Sequence, residues 1–155
     1  MAVQASANRN IIPFIHNGRP FVKEGETIAR IIGRAVALAP YTLMGKIAAS
    51  GKWAPCDDAA ATDGSAIPQG IYMGESITAA ALAAADVVNC PIIVGGAGVT
   101  FDEDQLVIED NDSPPVTLDT ALTVGTNDLR TIRERLYSIG LFPEKVVAID
   151  GYENT

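Results

Sequence analysis

Fourteen glycines and nine prolines punctuate a chain of 155 residues, and their spacing constrains the fold more than any other feature. Proline has no N–H to give a β ladder and breaks a helix interior, while glycine weakens both elements. The apolar runs between these breakers are short and read as strands joined by turns. One stretch has a clear helical period. Leu129, Ile132, Leu136 and Ile139 form a single apolar stripe, with Arg130, Arg133, Glu134 and Arg135 pointing elsewhere. Thr126 or Asn127 is its expected cap, Gly140 stands where a C-terminal cap belongs, and Pro143 follows. The pattern predicts a β-rich α+β domain of short strands with one amphipathic C-terminal helix near 127–139.

The expected organisation is an extended N-terminal arm over 1–22 and a single domain over 23–155. Residues 1–10 are small and polar, with nothing to bury. From Ile11 to Val22, two apolar runs flank Asn17-Gly18, a strong hairpin signal. Pro13 and Pro20 lie inside those runs and restrict them to edge strands or free extended segments. A free apolar arm suits strand addition to another chain; the other reading is an ordinary edge hairpin. Thr27 to Ala39 fits short β segments or one helix. Tyr41 to Ala48 and Lys52 to Cys56, around Ser50-Gly51, predict a hairpin, and Ile67 to Met73 a further strand. Thr78 is the expected cap of a short alanine-rich helix over 79–85. Val87 to Val94 reads as a buried strand and Gly95 to Gly98 as a turn. Val99 to Phe101, Gln105 to Glu109, Val116 to Leu122 and Lys145 to Asp150 read as short strands.

Charge is unevenly placed. Residues 1–52 carry a net +5, residues 53–129 carry −13 without a single Lys or Arg, and 130–155 are balanced, for a total of −8. The balance argues against a nucleic-acid binder, which needs clustered cations to displace counterions from phosphates. Two readings of the asymmetry stand: acidic loops that keep the protein soluble, or a basic N-terminal part that docks while an acidic middle faces water. The longest uncharged run, Val87 to Phe101, is interrupted by Asn89, Pro91 and three glycines and is shorter than the ~20 apolar residues of a membrane span. The N-terminus shows no charged start followed by an apolar stretch, so no signal peptide is expected. Cys56 and Cys90 are too few for a disulfide framework and read as buried free thiols of a cytosolic product, with a single bridge as the alternative.

A search for chemistry finds little. His16 is the only histidine, and it lies in the segment read as an arm. Cys56 and Cys90 lack the four nearby ligands of a thiolate zinc site. Gly95-Gly96-Ala97-Gly98 does not open a helix, and Gly45-Lys46 lacks the glycine loop and the Ser/Thr of a phosphate-binding P-loop. The acidic runs Asp102-Glu103-Asp104 and Glu109-Asp110-Asn111-Asp112 do not fit the twelve-residue calcium loop. No catalytic, cofactor-binding or metal-binding residue is assigned.

The run from Thr42 to Asp57, containing Gly45, Lys46, Ser50 and Gly51, continues through Asp63-Gly64-Ser65 and Pro68-Gln69-Gly70-Ile71. This progression resembles the head decoration proteins of tailed bacteriophages, the capsid-cementing family typified by the decoration protein of phage lambda. The similarity is best over residues 42–73 and weaker at Ile92 to Gly96. The resemblance implies a small β-rich domain whose copies cluster, usually as trimers, on the outside of an icosahedral head. It also implies an N-terminal arm that orders on the capsid and adds to strands of the major capsid protein. The chain departs from that pattern in its longer N-terminal region before Tyr41 and in its C-terminal helix.

The expected function is therefore structural and not enzymatic. The protein would bind the outer surface of a phage head, cement major capsid protein subunits and stabilise the capsid against DNA pressure. Its expected partners are the major capsid protein and itself, as a trimer or a dimer, with no cofactor, nucleic acid or membrane. It would be made in the host cytoplasm and reside in the virion. Ile11, Ile12, Phe14, Ile15, Arg19 and Phe21 are the candidate capsid contacts. The alternatives are a tail or other virion surface module and a small hydrolase or ligand-binding domain. The last would need Cys56, Cys90 and His16 to meet in space.

Overall fold

The computed structural model describes residues 13–57, 61–109, 116–121 and 130–145. Its elements are β1 (Ile15–Ile28), β2 (Leu43–Lys46), β3 (Trp53–Pro55), β4 (Pro68–Tyr72), α1 (Ala79–Ala84), β5 (Val87–Asp102), α2 (Ile132–Ser138) and β6 (Leu141–Glu144). The strands form one sheet in the order β1-β3-β2-β4-β5-β6, and β1 also pairs with β5. The first five strands therefore close into a ring, which removes most free edges. Closure rests on one parallel pair, Ile28 opposite Trp53, and on the Ala29 N–H donating to the Trp53 carbonyl at 2.8 Å. β6 joins β5 in parallel at Val99 to Asp102, beyond the end of β4.

Side chains alternate across a strand, so neighbouring apolar residues are sent to opposite faces. Leu43, Ile71 and Ile93 enter one core cluster with Phe14, Phe101, Ile132, Leu136 and Leu141. Their chain neighbours Met44, Tyr72 and Ile92 enter a second, with Ile28, Leu38, Trp53, Leu82 and Cys90. α2 covers the first cluster through Ile132 and Leu136, and α1 caps the second through Leu82. Two buried faces explain why strands such as β2 and β4 are not cleanly alternating in sequence.

Several elements follow the sequence. The Ser50-Gly51 hairpin joins β2 to β3, β4 lies within 67–73, and the Thr78 hydroxyl accepts from the Ala81 N–H at the start of α1. Others differ. Asn17-Gly18 is not a hairpin turn. It sits inside β1 at a register shift opposite β5, with Gly18 at φ +85° and no room for a Cβ against the Gly98 carbonyl and Val99 Cα. Gly95 to Gly98 is likewise no turn but part of β5, opposite Arg19 to Phe21 of β1. Sequence reading missed this because the ladder joins segments about seventy residues apart, and glycines inside a bulged strand look like a turn. The described helix begins at Ile132. Thr131 is its cap, with a reciprocal capping box to Glu134; the expected cap at Thr126 or Asn127 lies outside the described residues. Gly140 adopts φ +83° after the helix, as expected of a C-terminal cap. The closing strand expected over 145–150 lies almost wholly outside the described residues, and β6 forms just before it.

Candidate docking surface

The segment most distinctive in sequence carries the fold. Gly45 has no room for a Cβ, which would meet the Ser65 and Ile67 carbonyls. Gly64 adopts φ +102°, and a Cβ there would lie 2.7 Å from the Lys46 carbonyl. The Asp63 carboxylate accepts from the Ser65 hydroxyl at 2.6 Å and from the Ser65 N–H at 2.9 Å. Those two bonds hold its pKa below the ordinary carboxylate value. The Asp63 carbonyl in turn accepts from the Ala48 N–H at 2.8 Å. Asp63, Gly64 and Ser65 thus lock their loop onto the end of β2. A Cβ on Gly70 would press on Ile92 and on the ring of Trp53 at 3.0 Å. The Gly51 N–H donates to the Ile47 carbonyl at 2.8 Å and closes the β2–β3 turn, with the Ser50 hydroxyl accepting from the Lys52 N–H at 3.3 Å. Pro68 is buried at the start of β4. Lys46 stands with its ammonium 5.1 Å from the centre of the Trp53 ring.

The candidate capsid contacts divide. Ile11 and Ile12 lie outside the described residues. Phe14 is buried, stacked on Tyr41 with ring centres 4.1 Å apart and against Phe101 at 5.1 Å, while Ile15 packs on the same cluster. Arg19 and Phe21 are exposed on β1, Phe21 by 54%. The segment from Ile15 to Val22, read as arm, pairs with β5 in the domain's own sheet. Sequence reading did not single out Val22, Ile32, Val36, Val88 and Tyr137, which are large and exposed. At Val88 strand alternation misleads, since it puts Val88 on the face of the buried Cys90, whereas Val88 and Asn89 are both exposed and Asn89 adopts φ +60°. Ile32 and Val36 offered no signal, because they lie in the irregular connection after β1.

That connection is pinned. The Arg34 guanidinium is gripped by both oxygens of Glu109, and both side chains are nearly buried. Arg133 of α2 reaches Glu103 at 2.8 Å and Asp119 at 3.1 Å, so helix, acidic turn and the 116–121 segment are tied together. Within that turn Asp102 is buried and accepts from the Asp104 N–H at 3.0 Å and the Gln105 side chain at 2.9 Å. Its lone pairs serve the turn.

Possible nucleophiles are kept apart. Cys56 lies in the first cluster and Cys90 in the second, both buried and free. Burial raises both thiol pKa values, disfavouring the reactive thiolate. Cys90 lies opposite Glu26, ten residues down β1 from the exposed His16, which separates the two by about 30 Å at strand spacing. Among the described residues no group of three His, Cys, Asp or Glu could hold a metal ion, and no helix is long and apolar enough to cross a membrane. The Gly95 to Gly98 stretch serves packing. The Gly96 N–H donates to the Ile139 carbonyl at 3.0 Å, and a Cβ on Gly140 would collide with Gly96.

Neither the curated proteins nor the solved structures yield a match to the chain. The profile of the bacteriophage lambda head decoration protein D family matches residues 16–109, from the second residue of β1 to the Glu109 that pairs with Arg34. The match takes in the whole ring of strands and the 42–73 segment, and stops before α2 and β6. On that match the chain belongs to the phage lambda head decoration protein D family, a family of structural proteins of the phage head.

Proposed function

We propose that the protein docks on the outer surface of the head and cements neighbouring major capsid protein subunits, clustering there as a homo-oligomer, with a trimer expected. The family match is the observation that carries this reading. The exposed apolar pair Phe21 and Val22 on β1, 54% and 45% accessible, supports the N-terminal side as the docking element. Residues 1–12, with Ile11 and Ile12, precede this strand and complete the element in our reading. Each copy that bridges subunits adds weak contacts as avidity, and a ligand that binds only the intact lattice stabilises it by mass action. An acidic middle segment facing outward would keep virions apart.

The test mixes purified protein with undecorated, expanded heads, images them, and follows DNA release on heating. Saturating decoration with release shifted to higher temperature is the expected result. A variant lacking residues 1–12 keeps Phe14 and β1, and it should remain folded and bind heads much more weakly. Heads that gain no protein, or gain protein without protection, would overturn the cementing role. Unchanged binding by the truncated variant would overturn the arm.

A further inference from the structure

One end of the strand ring holds a cavity of about 300 Å³ to which every ring strand contributes a side chain: Lys23 from β1, Lys46 from β2, Trp53 from β3, Gln69 from β4 and Val94 from β5. Arg135 of α2 and Ile139 at its C-terminal end complete the wall. Three of these seven side chains are cations, and none is a carboxylate. The cations come from the two ends of the chain, and Arg135 lies beyond the stretch shared with the family profile. Lys46 is held over the Trp53 ring, and Lys23 has its nearest acidic partner, Glu26, at 3.5 Å on its own strand. A concave site lined by one sign of charge, with apolar walls from Trp53 and Val94, focuses its field on an incoming anion. The mouth of a closed sheet is also a common place for a ligand group.

We propose that this pocket is an anion subsite of the docking surface, taking a carboxylate side chain from the capsid subunit beneath the protein. The inference rests on the head-docking reading above. The capsid is preferred over a second copy because the pocket is continuous with that surface: Lys23 follows the exposed Phe21 and Val22 on β1. Arg135 gives the C-terminal addition a role in docking besides covering the core.

The experiment measures binding of full-length protein to undecorated heads for wild type, Lys23→Gln, Lys46→Gln and Lys52→Gln. Lys52 is a matched control, since it loses the same charge but lies outside the pocket, paired with Asp86. Lys23 is well exposed, so its loss should leave the fold intact, which thermal unfolding checks. Lys23→Gln and Lys46→Gln should each weaken binding by at least about fivefold, a change of about 1 kcal/mol, with Lys52→Gln within about twofold of wild type. Wild type that does not bind heads overturns the docking reading itself. Wild type that binds while Lys23→Gln binds equally well overturns the pocket alone. Equal losses in Lys23→Gln and Lys52→Gln would mean diffuse attraction and also overturn it. A change of oligomeric state in Lys23→Gln, seen by sedimentation with head binding unchanged, would give the pocket to a second copy and overturn the choice of partner.

Discussion

Phe14 is the first core residue among those described, and replacing it by alanine tests whether the start of β1 is anchored to the domain. Its ring is 4% exposed, lies parallel to Tyr41 at 4.1 Å and tilts against Phe101 at 5.1 Å. The Phe14 carbonyl also accepts from the Asp102 N–H at 2.8 Å, fixing the ring's entry into the first core cluster. Truncating a buried phenylalanine costs about 3–5 kcal/mol in transfer and cavity terms. Part of this is the aromatic pairing, worth about 0.5–1.5 kcal/mol beyond area. For a chain of this length each kcal/mol moves Tm by about 2–4 °C, so the variant should melt roughly 6–20 °C below wild type. Urea unfolding followed through Trp53, the only tryptophan and itself buried, gives the free energy directly. Phe14→Leu keeps most of the volume and should lose less than about 1.5 kcal/mol. A loss below about 1 kcal/mol in Phe14→Ala would mean that the ring is not in the core of the free protein. The arm would then extend further than the strand pairing indicates.

Arg34→Ala should destabilise by about 3–5 kcal/mol in the same assay, because it strands the nearly buried Glu109 carboxylate; Arg34→Ala/Glu109→Gln should recover part of that. Asp63→Asn bears on pH. The folded pKa of Asp63 is lowered, so its contribution is fully present above the unfolded value near ~3.9 and fades as pH falls through the folded value. The stability gap between wild type and Asp63→Asn should therefore be constant from pH 5 to 8 and close below about pH 4; a gap that widens in acid would refute the assignment. Leu136→Ala, at a fully buried position on the inner face of α2, should cost about 2–5 kcal/mol, and a change under about 0.5 kcal/mol would show that α2 does not pack on the sheet in the free protein.

The local elements were legible where the chain turns back on itself within a few residues. Ser50-Gly51 specifies its hairpin because the apolar runs on either side become adjacent strands, and Thr78 supplies a hydroxyl acceptor immediately before an alanine run. The β1–β5 ladder was not legible. No local signal links Arg19 to Ala97 or Val22 to Ile93, and the prolines and glycines that let those strands bulge are the residues that argue against strands. The candidate surface was legible in part. Phe21 emerges and Phe14 does not, although both are phenylalanines in an apolar run, because only tertiary closure decides which side of β1 meets Tyr41 and Phe101. The pocket was invisible for the same reason, since Lys23 and Lys46 lie about ninety or more residues from Arg135 in the chain.

The residues that make the family recognisable and those that would contact a head are largely different sets. Gly45, Gly64 and Gly70 are fixed by collisions with backbone or core side chains, and Asp63 by its own loop. Any head protein built on this ring of strands meets those constraints, whatever capsid it decorates. Phe21, Val22 and Lys23 are exposed on β1, so their identities are free to follow the partner. Lys46 belongs to both sets. Its backbone receives the Gly64 turn and its ammonium stands over Trp53 at the cavity. Exchanging Phe21, Val22 and Lys23 between two members of the family should therefore transfer head preference while leaving Tm within a few degrees. A chimera that unfolds, or one that keeps its original preference, would show that specificity is written elsewhere, with residues 1–12 the next segment to exchange.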